Sequence, residues 1–372
     1  MTKVANIVSY KFLPAQSGGQ KYIAQFLHHL GEKTKVYALG TANNKFDNNL
    51  SYELKPLLSK NPYSYFDIVG FIRIYQLLKK NKIGILIIEH PYIGWMGILL
   101  KKMLALKLII HTHNIEYLRF RSLHKSWWKL LKIYETWILK KADHVFCITH
   151  EDQQWMVQKM KIDEGKTSIV PYGIQQSSLP SDKEEKKKIV CSKHGLDDSK
   201  PLIFFNGVLS YHPNLEAVEH ILEDIIPRLN NAGFQYNMII AGKGLPDIYR
   251  ERIAQMNYGI YTGFVDDIDS YTGAADIFIN PILSGGGVKT KLIEALAMGC
   301  YCISTKTGAI GVESELCGDY LKKIEDNNWD KFTEEILSAS KKSMGVNEQF
   351  YRRYSWDNIT DELLKLLLSI KN

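Results

Sequence analysis

Short apolar runs alternate with longer amphipathic stretches along almost the whole chain. The first half has runs suited to buried strands near Val4–Tyr10, Lys35–Leu39, Ile83–Glu89, Leu106–His111, His144–Ile148 and Thr167–Val170. The second half starts afresh near Leu202–Asn206, Tyr236–Ala241, Ile260–Thr262, Ala275–Asn280, Tyr301–Thr305 and Tyr320–Ile324. Strands that read as continuous apolar runs, separated by helical spacing, predict an α/β chain with parallel sheets covered by helices on both faces. Between the two sets lies the polar, turn-rich segment from Gln175 to Lys188. The pattern therefore predicts a Rossmann-like domain over 1–174, a linker and opening helix over 175–199, a second Rossmann-like domain over 200–345, and C-terminal helices over 346–372. Ser355, before Trp356, is the expected N-cap of the last helix.

Length agrees with two domains, since 372 residues exceed one comfortable core. There is no run of about 18 apolar residues, and Met1-Thr2-Lys3 leads straight into an apolar run, so the expected location is cytoplasmic. The five cysteines, at 147, 191, 300, 302 and 317, are odd in number and scattered, which fits reduced buried thiols and no zinc site.

Charge adds an asymmetry. Residues 1–175 hold 25 Lys and Arg against 12 Asp and Glu, so the first half is basic and the remainder acidic. Seven basic residues between Arg119 and Lys141 share that stretch with one acid, Glu135, and are interleaved with Trp127, Trp128, Leu130, Ile133 and Trp137. That stretch reads as an amphipathic helix, either resting on an anionic membrane surface or packed on the core with a solvated basic face. No nucleic-acid module is visible, and no nucleic-acid partner is expected.

In doubly wound sheets, ligands bind beyond the carboxyl ends of the strands. Polar and glycine residues collect there: Gly18-Gly19, His90-Pro91, His111-Thr112-His113, Asn206-Gly207, Gly242-Lys243-Gly244, and Gly285-Gly286-Gly287-Val288-Lys289-Thr290-Lys291. The last stretch carries the most chemistry. Its glycines let the backbone approach an anion, and the first helical turn then offers unpaired N–H groups and the favourable dipole end. Lys289 and Lys291 add formal charge. With a helix beginning near Val288, Glu294 falls roughly 9 Å along the axis, about one sugar ring from the phosphates, where its carboxylate accepts from ribose hydroxyls. His111 and His113 alternate to one side of a strand end and are both candidates to line the site.

These features resemble the large group 1, or family 4, of retaining glycosyltransferases, whose GT-B architecture sets two Rossmann-like domains facing across a cleft. The resemblance spans nearly the whole chain. It rests on Gly18-Gly19, Ala142-Asp143, Val170-Pro171-Tyr172-Gly173-Ile174, Asn206-Gly207-Val208 with Pro213-Asn214, and Ala241-Gly242-Lys243-Gly244. It continues through Ala274-Ala275-Asp276, Gly285-Gly286-Gly287 with Lys291, Glu294-Ala295-Leu296-Ala297-Met298-Gly299, and Tyr354-Ser355-Trp356, after which a helix commonly returns to brace the first domain. The resemblance implies transfer of a sugar from a nucleotide-diphosphate donor to a hydroxyl, with retention and with no metal or other cofactor. It assigns the leaving diphosphate to Gly285, Gly286, Gly287, Val288 and Lys289 or Lys291, and the ribose to Glu294. Gly18, Gly19, Asn206, Gly207 and Lys243 line the donor space, and His113 or His111 lies by the reacting sugar. The implied acceptor is a saccharide or lipid-linked saccharide in cell-surface polysaccharide or glycolipid assembly, and an anionic inner-membrane face is the implied site of peripheral contact.

Two positions depart from the family pattern. Many members carry a glutamate eight residues before the one matching Glu294, where this chain has Gly286. Many also place an arginine and a lysine after the first strand of the second domain, where this chain runs Val208-Leu209-Ser210-Tyr211-His212-Pro213. The diphosphate charge must then come from Lys289, Lys291 or Lys243. Asp267-Ile268-Asp269 has the form of a metal-binding Asp-x-Asp, but its place before a short helix predicts a cap instead. A dinucleotide oxidoreductase is disfavoured because no compact G-x-G-x-x-G follows the first strand. A sugar-nucleotide epimerase of the same architecture and a non-catalytic subunit of a transferase complex are the alternatives.

Overall fold

A computed structural model describes residues 3–46, 49–60, 62–339 and 345–371; the starting Met1-Thr2 lies outside them. The chain forms two compact units, one comprising the residues up to Gly173 together with those from Tyr354 onward, the other Ile174–Arg353.

The first unit is built on seven parallel strands: β1 (Lys3–Val8), β2 (Lys35–Thr41), β3 (Glu53–Leu58), β4 (Ile85–Glu89), β5 (Lys107–Thr112), β6 (His144–Cys147) and β7 (Thr167–Ile169). Their order is β3-β2-β1-β4-β5-β6-β7, which reverses between β1 and β4. The run Ile85-Leu86-Ile87-Ile88 is buried on both faces, which is why a continuous apolar tetrad works as a strand here. The strand β3 escapes the hydrophobic pattern because Glu-Leu-Lys-Pro-Leu-Leu mixes polar and apolar positions and contains Pro56, tolerated because β3 is an edge strand with a register shift at that point. The closing helix Trp356–Lys371 packs in this unit against the helix Gly18–Lys33, with Lys33 and Asp361 paired at 3.0 Å. The Trp356 ring lies so close to Gly173 that a Cβ there would sit 2.3 Å from the indole.

The second unit has six parallel strands: β8 (Leu202–Asn206), β9 (Asn237–Ala241), β10 (Gly259–Gly263), β11 (Ile277–Asn280), β12 (Tyr301–Thr305) and β13 (Leu321–Ile324). Their order is β10-β9-β8-β11-β12-β13, with the reversal between β8 and β11. The helix Lys183–His194 packs on the helix Ile268–Ala274 within this unit, and Lys187 pairs with Asp276 at 2.8 Å.

The stretch from Arg119 to Lys141 is not one helix. Residues Glu116–Ser122 and Trp128–Lys141 form separate helices, and His124 between them takes φ +53°, which the right-handed helix cannot accommodate. Glu135, the lone acid of that stretch, is fully buried. It accepts the backbone N–H groups of Glu116 and Tyr117 at 2.9 Å each and so caps the shorter helix.

Candidate active site

At the β1/β4 reversal of the first unit, a buried polar cluster is built from consecutive strand ends. Asn6 of β1 donates to Glu89 Oε1 at 2.6 Å. Glu89, the last residue of β4, takes His113 Nε2 at 2.6 Å and His111 Nδ1 at 3.1 Å on its other oxygen, Oε2. Glu89 and His111 are wholly buried and His113 is 5% exposed. Burial works against ionisation of Glu89, but the two histidines outweigh it and hold its carboxyl well below the usual range. Burial, followed by the neighbouring His90, pushes His113 down to about 3, so its ring is neutral near pH 7. The His113 Nδ1 atom is buried and has no partner among the described residues. His111 Nε2 meets the hydroxyl of Tyr22 at 3.0 Å, and that hydroxyl donates to Val170 O at 2.8 Å.

His90 follows β4 with φ +64° and ψ 156°, a region that non-glycine residues almost never occupy. Such a conformation costs about 1–3 kcal/mol and persists only when the surroundings fix it. Here they do. The His90 N–H donates to His111 O at 2.8 Å, and its ring nitrogens lie 3.0 Å from the Tyr10 hydroxyl and 3.1 Å from Glu116. Burial opposes ionisation of Glu116 as well, yet His90, Arg119 and the Tyr92 hydroxyl bring it down to about 2. The His90 ring lies tilted at 37° with its centroid 4.3 Å from that of His113, and Tyr22 meets His113 edge-on at 5.0 Å. Glu89, His111 and His113 are also the group among the described residues whose donor atoms lie close enough, within 4.8 Å of one another, to hold a metal ion. Their facing atoms are hydrogen-bonded to one another.

At the β8/β11 reversal of the second unit, the loops after those two strands meet. Gly285 and Gly287 take φ +88° and +71°, conformations that admit glycine freely. A Cβ at Gly285 would fall 3.2 Å from Pro213 and 3.3 Å from the Tyr211 hydroxyl. Ser284 donates to Glu216 at 2.8 Å, which ties the loop to the helix His212–His220.

The helix after the glycines begins at Thr290, two residues later than the sequence predicts, because Val288 and Lys289 still belong to the loop. Glu294 is therefore in the second turn, roughly 6 Å along the axis, and is partly buried while Leu292, Ile293, Leu296 and Ala297 face the core.

Lys289 is held by the backbone of the glycine loop, and Lys291 by the end of β8 and the Asn214 side chain. Lys289 Nζ donates to Gly287 O at 2.9 Å and Gly285 O at 3.2 Å; Lys291 Nζ donates to Asn206 O at 2.8 Å and Asn214 Oδ1 at 3.1 Å. Removal from water brings Lys289 down to about 8 and Lys291 well below its ordinary value, the charge on Lys289 adding to the effect at Lys291. Lys243 is exposed in the turn after β9. Asn206 ends β8 with a buried Oδ1 that has no partner among the described residues. Gly207 donates its N–H to Ala241 O at 3.0 Å.

The remaining expectations are distributed as follows. Gly18 and Gly19 open the helix Gly18–Lys33, and a Cβ at Gly19 would meet nothing within 4 Å. His111 does not line an open surface, because burial and its two partners make it a support beneath His113. Asp267 caps the helix Ile268–Ala274 by accepting Ser270 N at 3.0 Å, the role expected from its position. Glu89 and Tyr22 did not stand out in the sequence, and His90 did so only as a residue following a strand. A charged residue ending an otherwise apolar strand, as in Ile85-Leu86-Ile87-Ile88-Glu89, is the signal that marks the first of them.

Comparison with known proteins gives two consecutive matches. The pattern described as Glycosyltransferase Family 4 matches residues 17–177, and the one described as Glycosyl transferases group 1 matches residues 200–341. Among curated proteins, the chain is 24% identical over 358 residues to the UDP-Gal:alpha-D-GlcNAc-diphosphoundecaprenol alpha-1,3-galactosyltransferase of Escherichia coli, covering 91% of this chain and 88% of that protein. Among solved structures, the sucrose-phosphate synthase of Thermosynechococcus elongatus superposes with a TM-score of 0.76 at 14% identity, covering 100% of this chain and 99% of the other. HepE of Anabaena in complex with UDP-glucose superposes with a TM-score of 0.74 at 14% identity, covering 99% of this chain and all of the other. The architecture is GT-B.

Proposed function

The chain belongs to the group 1, family 4 glycosyltransferases and is a glycosyltransferase; from that premise we propose that it moves a hexose from a nucleoside-diphosphate donor to a hydroxyl of a lipid-linked or polysaccharide acceptor, with retention. The observation that carries the reading is the glycine loop at the β8/β11 reversal, with Lys289, Lys291 and a helix N-terminus gathered around it. Open parallel sheets hold their ligands at such a reversal. When the sugar leaves, negative charge accumulates on the diphosphate, and amides and ammonium groups already oriented there stabilise it without reorganising. In the second unit Glu294 holds the ribose; in the first, His113 offers a neutral nitrogen to a saccharide hydroxyl.

Release of nucleoside diphosphate that depends on added acceptor tests transfer, and the anomeric configuration of the product, read by NMR coupling, tests retention. A panel of sugar nucleotides screened by thermal shift identifies the donor, since a ligand at about 100 times its Kd stabilises by about 2.7 kcal/mol. The diphosphate charge is met by side chains and amides in this reading, so turnover in excess chelator is expected to equal turnover without it.

The burial of Lys289 gives a pH dependence. Its value near 8 means that the free protein carries the ammonium below that pH and loses it above. A bound diphosphate favours the charged form, so above pH 8 binding must take up a proton. Lys291, lowered further, adds a fall of the same sign, so donor affinity measured by calorimetry is expected to decline as pH rises, the share of Lys289 alone reaching up to about tenfold per pH unit beyond 8.

The acceptor side is supported by the surface of the first unit. On the helix Trp128–Lys141, Leu130 and Ile133 are 68% and 69% exposed, and with Trp127 and Trp137 they form one stripe flanked by Lys129, Lys132, Lys140 and Lys141. The stripe continues through Tyr134 to Trp95, whose backbone N–H donates to the Tyr134 hydroxyl, and on to Phe66, which stacks on Trp95 and is 82% exposed. Among the described residues no helix is long and apolar enough to cross a membrane. Apolar and aromatic groups among lysines suit shallow insertion into an anionic bilayer, where a lipid-linked acceptor is presented. Sedimentation with anionic vesicles at low salt is expected, with loss of about tenfold in partitioning for Ile133→Glu. Equal recovery with neutral and anionic vesicles would remove this part of the reading.

A further inference from the structure

The hydrogen bonds around Glu89 determine which nitrogen of His113 carries its proton. Asn6 donates its amide N–H to Glu89 Oε1, His113 Nε2 meets Oε2, and His111 Nδ1 lies between the two oxygens, 3.3 Å from Oε1 and 3.1 Å from Oε2. An ionised carboxylate only accepts, so the 2.6 Å contact requires a proton on His113 Nε2. A neutral imidazole protonated there has a bare lone pair on Nδ1, and that is the buried atom without a partner among the described residues. His111 is fixed in a complementary way. Tyr22 has one hydroxyl proton, directed at Val170 O, so its oxygen accepts from His111 Nε2, while His111 Nδ1 faces the carboxylate. Both His111 nitrogens thus face acceptor oxygens.

We propose that Glu89 is a positioning residue that locks His113 with its proton on Nε2, so that Nδ1 accepts a hydrogen bond from a hydroxyl of the saccharide bound there. This deepens the reading of the chain as a glycosyltransferase and rests on it for the identity of the ligand. The neighbours of His113 support it. His90 packs against it at 4.3 Å, tilted by 37°, and Tyr22 meets it edge-on at 5.0 Å, so the ring is clamped in orientation as well as in protonation. The strained backbone of His90, one residue after Glu89, belongs to the same clamp. A ring held this way discriminates: it receives a hydroxyl and has no proton to offer an ether or carbonyl oxygen at the same position.

The experiment uses the full chain labelled with 15N histidine. Long-range 1H–15N spectra at pH 7, with the His113 signals identified by their loss in His113→Asn, are expected to show the proton on Nε2 alone. A proton on Nδ1, or on both nitrogens, overturns the proposal, and this readout does not depend on activity. In Glu89→Gln, the side-chain oxygen stays with Asn6 and the new amide N–H faces His113 Nε2. The proton then moves to Nδ1 and the acceptor becomes a donor. That variant is expected to bind nucleoside diphosphate within twofold of the parent by calorimetry while kcat falls about 10–100-fold, as for other residues that orient a working histidine. Unchanged kcat in a variant that folds and binds nucleotide also overturns the proposal. If the parent protein turns over no sugar nucleotide with any acceptor, the functional reading fails, while the histidine spectra still decide the clamp.

Discussion

Lys291→Met is expected to lower kcat/KM for the sugar nucleotide by about 10²- to 10⁴-fold, with little change in thermal stability. Two of the three N–H donors of Lys291 reach Asn206 O and Asn214 Oδ1, and the ammonium sits 4.0 Å over the Phe205 ring. It is thus held at the end of β8, beside the glycine loop, with one donor remaining for an anion. Burial and the charge on Lys289 both lower its proton affinity in the free protein, and a bound diphosphate opposes that shift by favouring the ammonium. Each charge-assisted hydrogen bond lost at such a site costs about 1.5–3 kcal/mol, and one or two of them account for the range. Methionine keeps the length and apolar stem that pack on Phe205. Steady-state nucleotide release and calorimetry with the nucleoside diphosphate check the expectation. An unchanged kcat/KM would make Lys291 a strut between β8 and the following helix, and would move the phosphate contact to Lys289 or Lys243.

Gly242→Ala is expected to have the largest effect on stability. Gly242 follows β9 with φ +137°, where a side chain is strained, and an added Cβ would lie 1.8 Å from Gly207 O. Backbone, not a movable side chain, stands in the way. Each glycine is also bound to the end of the next strand, Gly207 N–H to Ala241 O of β9 at 3.0 Å and Gly242 N–H to Gly263 O of β10 at 2.7 Å. Relief therefore requires separating the turns after β8 and β9. A cost of about 3–5 kcal/mol follows from the strain and overlap together, corresponding to roughly 10 °C in Tm for a domain of this size. Calorimetric melting and nucleotide binding should report the loss together. A melting point within 2 °C of the parent would mean that the turns can part at small cost.

Much of the second unit's site was legible because its chemistry is local. The glycines, Lys289, Lys291 and Glu294 are close in sequence, and the strand before them and the helix after them are long enough to show their periods. The first unit's site was legible only in part. The alternation of His111 and His113 placed both on one side of β5, but the carboxylate that binds them arrives from β4, and the tyrosine beneath them from the helix Gly18–Lys33. Contacts between residues 22, 89 and 111 are set by strand order, which a single sequence does not spell out. The break in the Arg119–Lys141 stretch was hidden for another reason. Its apolar spacing continues across His124, and the turn there follows from the need of Glu135 to reach the amides of Glu116 and Tyr117.

The return of the Trp356–Lys371 helix has a consequence for biosynthesis. Tyr22, which supports His111, also lies 5.7 Å from the Trp356 ring. A ribosome delivers the strands of the first sheet early, but the tryptophan that covers Gly173 and abuts Tyr22 emerges last. The middle of the chain has every residue of its own unit before that moment, so it can finish closing while the sheet made first still waits for its final piece. A released chain ending before residue 356 would hold every residue of the unit Ile174–Arg353 and lack the last helix of the unit that carries the histidines.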